Sequence, residues 1–170
     1  GWQRGVYPER ETAEAALARG DLFVQEQNGE IVGTAILNQT QVDSYAGANW
    51  RYDAPDSEVM VLHTLVIDPR PNRAALAASC GIYEGYALAH GCRYLRIDTN
   101  ARNARARRFY QKLGYAEIGV VPCNVLTVSP GVQLVLLEKR LPPLHKSRRT
   151  KRRACARACR PCPSTTTACP

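Results

Sequence analysis

Long apolar runs are missing from this sequence. None reaches the roughly 20 residues that a bilayer-spanning helix needs, so no membrane partner is expected. The chain also lacks a basic start followed by an apolar stretch, so it shows no secretory leader and a cytoplasmic location is expected. Without such a leader, the sequon Asn38-Gln39-Thr40 has no support as a glycosylation site. Two paired C-x-x-C motifs, the signature of structural zinc, are absent too. Cys155, Cys159 and Cys162 match the iron–sulfur spacing of radical enzymes, but only eight residues follow Cys162 and no barrel surrounds them. No metal is expected. Cys80, Cys92 and Cys123 lie far apart in apolar company, which reads as buried free thiols in a reducing compartment.

Acidic residues are missing from Pro142 onward. That stretch holds Lys146, Arg148, Arg149, Lys151, Arg152, Arg153, Arg157 and Arg160. Removing these eight from the 23 Lys and Arg leaves 15, which balances the 15 Asp and Glu. The formal charge of +8 therefore belongs to residues 142–170. Their composition of Arg, Cys, Pro and Thr cannot bury a core, so this stretch reads as a disordered tail. Residues 1–141 read as one neutral folded domain. A nucleic-acid-binding module acting through the tail is the alternative function. Its basic run would hold polyanions through counterion release without selectivity, and no base-reading motif accompanies it. The sequence leaves the oligomeric state open.

What the folded part has is a clear order of elements. Residues 9–19 read as a helix after Pro8, with Ala13, Ala16 and Leu17 on one side and Gly20 as its stop. Asn28-Gly29 between two β-rich runs is a hairpin turn, with strands near 22–26 and 31–38. After a long polar stretch with aromatics, residues 58–67 read as a strand. A helix over 73–90 follows, with Leu76, Cys80, Tyr83 and Ala87 on one face. Residues 92–99 form a strand, 100–113 a helix stopped by Gly114, and 115–121 and 132–140 two closing strands. The helical crossover requires a parallel pair between the third and fourth strands, while the hairpins are antiparallel. The fold class is α/β (α+β): a mixed, mostly antiparallel sheet with helices on both faces.

Residues 58–120 resemble the acyl-CoA-binding half of the GNAT N-acetyltransferases. The resemblance rests on the strand end Leu65-Val66-Ile67-Asp68-Pro69 and on the run Asn103, Ala106, Phe109-Tyr110, Gly114-Tyr115. Weaker similarity extends from Gly1 to Leu141. Family members usually carry another strand and helix ahead of this point, so the first strand and helix are expected to be absent. The resemblance implies acetyl transfer from acetyl-CoA (or binding of coenzyme A) to a small-molecule or peptide amine. It implies that Tyr110 protonates the departing thiolate as general acid, and that Asn103 and Ala106 lie along the coenzyme. The backbone of Leu65, Val66 and Ile67 is implied to pair with the pantetheine arm like an added strand.

Physics agrees with the motif. Seven residues separate Asn103 from Tyr110, nearly two helical turns, which puts both on one face. Ala106, Phe109 and Leu113 form a neighbouring apolar stripe for docking on the sheet. Arg105, Arg107, Arg108 and Lys112 then face solvent. His63, two residues before Leu65, resembles the histidine of serotonin-type N-acetyltransferases and is the candidate base, since imidazole titrates near neutrality. Glu58 is the reserve base. The phosphate loop departs from the pattern. Arg70 and Ala75 fit its ends, but Arg73, followed by Ala74, stands where the family has its first glycine. The helix dipole and the two arginines remain to hold a pyrophosphate, and a catalytically weakened member is the further alternative. Tyr45, Trp50 and Tyr52 suggest an aromatic-walled acceptor pocket, with plain packing of a long loop as the alternative.

Overall fold

The computed structural model describes residues 8–68, 73–123 and 131–143, side chains at 73–79 excepted. The tail and the phosphate-loop residue Arg70 lie outside the described residues. So do the side chains of Arg73, Ala74 and Ala75.

Helix α1 (Arg10–Arg19) ends where Gly20 adopts a left-handed conformation and donates to the Ala16 and Leu17 carbonyls. Strand β1 (Leu22–Gln27) turns through Asn28 and Gly29, whose φ angles of 55° and 83° are those of the primed hairpin turn, into β2 (Glu30–Asn38). Two short 3-10 turns at 43–45 and 56–58 interrupt the long connection to β3 (Val59–Ile67). Helix α2 (Arg73–Ala89), β4 (Tyr94–Asn100), α3 (Ala104–Lys112), β5 (Ala116–Pro122) and β6 (Gln133–Arg140) complete the chain. The sheet order is β1-β2-β3-β4-β6-β5, and only β3 and β4 run parallel.

Each face of the sheet has its own core. Met60, Leu62, Leu95, Ile97, Val135 and Leu137 meet Cys80, Tyr83 and Ala87 of α2 and Tyr110 of α3. Ala106, Phe109 and Leu113 pack against this cluster, as the stripe predicts. On the other face Val59, Val61 and Leu136 lie under Tyr45, with Val42, Trp50 and Ala54 packed around them. Cys80 and Cys92 are buried free thiols, and burial pushes Cys80 up to about 12. Among the described residues no helix is long and apolar enough to cross a membrane.

One irregularity in β3 organises the rest. Thr64 has φ of 47°, a left-handed conformation that a β-branched residue resists. There β3 bulges against β2: Ile36 pairs with His63, but Thr34 pairs with Val66, so β3 holds one extra residue. The extra residue resets the alternation of faces. Leu62 packs on the helix side, and Leu65 returns to that side three residues later. The parallel pairing of β3 with β4 stops at the pair Leu62 and Ile97, just before the bulge. Beyond it, Gly33 faces Ile67 so closely that a β-carbon would sit 2.6 Å from Ile67 Cδ1. A larger residue there would require the Ile67 side chain to shift.

Candidate active site

The end of the β3–β4 pairing opens a split in the sheet. Its β3 lip is Leu65, Val66 and Ile67; Val66 and Ile67 pair with Thr34 and Gly33 of β2, and among the described residues no strand pairs with the other side. Val66 is the exposed member, at 42%.

Tyr110 is a buried member of the core cluster on the helix side, the cluster against which Leu65 packs. Its ring packs edge-on against Phe109 and Tyr115, with centroids 5.4 and 5.7 Å away. Burial, then the charges of Cys80 and Asp98, raise its pKa well above that of a free phenol. The hydroxyl is therefore held protonated, and no described residue hydrogen-bonds it.

Asn103 is not inside α3, as a helix over 100–113 would have it. It is the N-cap: its Oδ1 accepts from the Ala106 amide at 3.1 Å, and the residue is solvent-exposed. A short polar side chain competes well for a free helix-end amide, and this sets the start of the helix at Ala104. Arg107 is a second correction. Its guanidinium does not face solvent alone but clasps Glu117 through Nε–Oε1 and Nη2–Oε2, at 2.8 and 2.7 Å, while Nη1 donates to the Ala101 carbonyl. The pair ties α3 to β5. Arg105, Arg108 and Lys112 are exposed, as expected.

His63 lies on the other sheet face, the one it shares with Val59 and Val61 by strand alternation. Its Nε2 is 3.0 Å from Asn38 Oδ1, which also accepts from the Thr40 amide. Asn38 Nδ2 donates to Asp21 Oδ2, which in turn accepts from Arg19 Nε at 2.7 Å. With Asn38 Oδ1 as acceptor, Nε2 carries the hydrogen of neutral His63 and Nδ1 keeps its lone pair. Burial lowers the pKa of His63, more than the Thr40 backbone and the Asp21 charge raise it. An uncharged imidazole can accept a proton at its unprotonated nitrogen. Sequence reasoning missed this chain. Asn38 stood out only as a sequon residue, and both polar ends of its side chain are engaged within the protein.

Glu58 sits in the turn 56–58 that precedes β3. The paired segment Val59–Leu62 separates it from the split, which removes it as a base. The aromatic pocket is also corrected. The Tyr45 ring is 3% exposed and stacks edge-on with Trp50, both within the core on this face. Tyr52 packs on Tyr94 and lies under the Arg140 guanidinium. These rings cover the sheet, as plain packing of the long loop would have them.

What pins them is a buried ionic pair that the sequence did not announce. Arg96 and Glu138 face each other across β4 and β6, with Nε and Oε1 3.4 Å apart and both side chains nearly inaccessible. Glu138 Oε2 also accepts from the Arg51 and Tyr52 amides, and Arg96 donates to Gln41 while stacking on Trp50 at 4.1 Å. Alternation on β4 puts Asp98 on this same face, and its Oδ2 accepts from the Tyr45 hydroxyl at 2.9 Å.

The family model for the acetyltransferase (GNAT) family matches residues 1–115. The chain belongs to the GNAT acetyltransferase family. Acetyl-CoA is thus the cofactor of this GNAT enzyme, an acetyl-CoA-dependent N-acetyltransferase. No curated protein matches it. Solved structures share the fold. A GNAT-family acetyltransferase from Streptococcus agalactiae is 21% identical, with TM-score 0.64 over 81% of this chain and 75% of that one. The ribosomal-protein-S18-alanine N-acetyltransferase of Escherichia coli is 17% identical, with TM-score 0.58 over 86% of each chain. A Salmonella typhimurium structure solved with its cofactor acetyl-CoA is 17% identical, with TM-score 0.55 over 81% and 73%. Beyond Leu62 and Ile97 the backbone donors and acceptors of β3 are not paired with β4.

Proposed function

We propose that the chain acetylates a primary amine by direct transfer, with Tyr110 as general acid and His63 as base. The observation that carries this reading is the bulge at Thr64. It ends the β3–β4 pairing and leaves Leu65 packed against the core cluster that holds Tyr110, a buried tyrosine whose pKa is raised, which supports the reading. Leu65, Val66 and Ile67 would hold the pantetheine arm through backbone hydrogen bonds. Asn103 and Ala106 at the start of α3, with Arg70, Arg73, Ala74 and Ala75 at the start of α2, would hold the remainder. Acetyl-CoA supplies a thioester that is open to attack by a neutral amine.

An alkylammonium with a pKa near ~10.4 cannot attack until it loses a proton. His63 supports that step because it is neutral and its Nδ1 is unprotonated. Tyr110 supports the other half, since a phenol held protonated has a hydrogen to give the leaving sulfur. The two flank the split from opposite faces, one on each side of the sheet. Residues 1–141 form the catalytic domain in this reading, and residues 142–170 take no part.

The test is calorimetric titration with acetyl-CoA, followed by thiol release in the presence of amines. Saturable binding and amine-dependent thiol release are expected. No binding at about millimolar coenzyme, far weaker than a working cofactor site, would overturn the reading.

A further inference from the structure

The amide beside His63 cannot be turned round. Asn38 Oδ1 accepts from the Thr40 main-chain N–H at 2.9 Å, and Asn38 Nδ2 donates to Asp21 Oδ2 at 3.0 Å. A backbone N–H can only donate and a carboxylate can only accept, so a partner of fixed polarity assigns each end of the side chain. Oδ1 also meets His63 Nε2 at 3.0 Å. Nε2 must then carry the hydrogen, and the direction of the whole chain follows from one main-chain donor. Strand register supplies the meeting. Ile36 pairs with His63 and Asn38 with Val61, so Asn38 and His63 are diagonal neighbours on one sheet face. Asp21 is held beside β2, because its carbonyl accepts from the Leu37 amide at 3.0 Å.

The chain ends at the surface. Arg19 Nε reaches the same Asp21 Oδ2 at 2.7 Å, and its side chain is 54% exposed against 19% for Asp21. Among the described residues the charges that act on His63 are these two, with opposite signs: Asp21 favours the protonated ring and Arg19 disfavours it. The Thr40 backbone favours it too. Asp98, on the same sheet face, is engaged by the Tyr45 hydroxyl. When His63 takes a proton at Nδ1 it becomes a cation. The Asn38 amide then turns its negative end to that cation and its positive end to the Asp21 carboxylate, so each hydrogen bond strengthens the next.

We propose that Asn38 is the positioning residue of the base: it fixes the His63 tautomer that leaves Nδ1 unprotonated, and it links the ring to the Asp21–Arg19 pair, whose two charges tune proton uptake in opposite directions. The inference rests on the transferase reading, in which His63 accepts the proton of the amine. It adds residues that act on the reaction only through His63.

The experiment joins nitrogen NMR of histidine-labelled full-length protein to pH profiles of kcat/KM, with coenzyme binding measured in parallel. The chain has three histidines, and the His63 signal is the one lost in His63→Ala. Profiles use acetyl-CoA and the amine that releases most thiol in the assay above. The parent should show His63 with its hydrogen on Nε2. Asn38→Ala should mix the two tautomers and lower kcat/KM about 10-fold to 100-fold, part of what a general base contributes, with coenzyme affinity unchanged. Asp21→Asn and Arg19→Gln break the same exposed ion pair, and both should keep the tautomer. Their acidic limbs should nevertheless move apart. Loss of the Asp21 charge shifts the limb to lower pH, and loss of the Arg19 charge shifts it to higher pH. Limbs that move the same way, or not at all, make the pair a structural tie and overturn the proposal. A hydrogen on Nδ1 in the parent, or an unchanged tautomer in Asn38→Ala, overturns it while the transferase reading stands. A limb that persists in His63→Ala removes the base from that reading, and the proposal falls with it.

Discussion

Tyr110 and Tyr115 are neighbours with rings 5.7 Å apart, and only Tyr110 carries the proposed proton transfer. Both are buried, at 7% and 4% exposed, and among the described residues the Tyr115 hydroxyl has no partner. Replacing Tyr110 by Phe removes one oxygen and keeps the packed ring. Turnover should fall about 10²–10⁴-fold, the usual contribution of a general acid, while calorimetry shows coenzyme affinity unchanged. An unchanged kcat would make Tyr110 a packing residue. His63 gives a pH test. Burial lowers its folded pKa below the ordinary 6.5, so at pH 6.5 the folded protein binds less proton at this site than the unfolded chain does. Activity and this contribution to stability are both present above 6.5 and are lost as pH falls through the lowered value. The acidic limb of kcat/KM should therefore lie below 6.5, and His63→Ala should remove that limb. A limb persisting in the variant would assign the base elsewhere.

At the scale of an element, β3 matters most. Its bulge depends on a threonine in a conformation that costs of order 1–3 kcal/mol for a residue with a β-carbon. Thr64→Gly should raise the melting temperature or leave it level, and coenzyme binding should persist. Deleting Thr64 should abolish coenzyme-dependent thermal stabilisation, because Leu65 and Ile67 would swap faces. Equal behaviour of the two variants would show that the bulge does not shape the site. The sequence disclosed neighbours far better than partners. Asn28-Gly29 announced its hairpin, and the spacing from Asn103 to Tyr110 announced α3 and its inward face. The bulge at Thr64 was invisible, since nothing in Leu62-His63-Thr64-Leu65 marks where β2 will fall out of register. Arg96 and Glu138, 42 residues apart, were equally silent, because only the insertion of β6 beside β4 makes them neighbours. The loop aromatics were ambiguous for the same reason: a ring over a sheet and a ring lining a pocket have one sequence signature.

For the whole molecule, charge and fold part company near the end of β6. Leu141 is 2% exposed and donates its amide to the Arg93 carbonyl, so the last buried residue among the described ones immediately precedes the basic stretch. Truncation after Leu141 should leave melting temperature and coenzyme binding unchanged. It should also abolish any salt-sensitive binding to a polyanion such as heparin, because the removed residues carry the whole formal excess of +8. A large fall in melting temperature would show that residues 142–170 pack on the domain.

The sheet is in effect two three-stranded units. One is β1-β2-β3 and the other β4-β6-β5, and the seam between them is four residue pairs, Val59–Leu62 with Tyr94–Ile97. A short seam opens more readily than the ladders on either side, so the units should behave as separate foldons. Amide hydrogen exchange should reveal two protected blocks with faster exchange along the seam. Coenzyme laid between β3 and β4 would bridge both blocks, and its strongest protective effect should fall on seam amides that it never touches. The cleft would then be the joint of the molecule, stiffened by its own ligand.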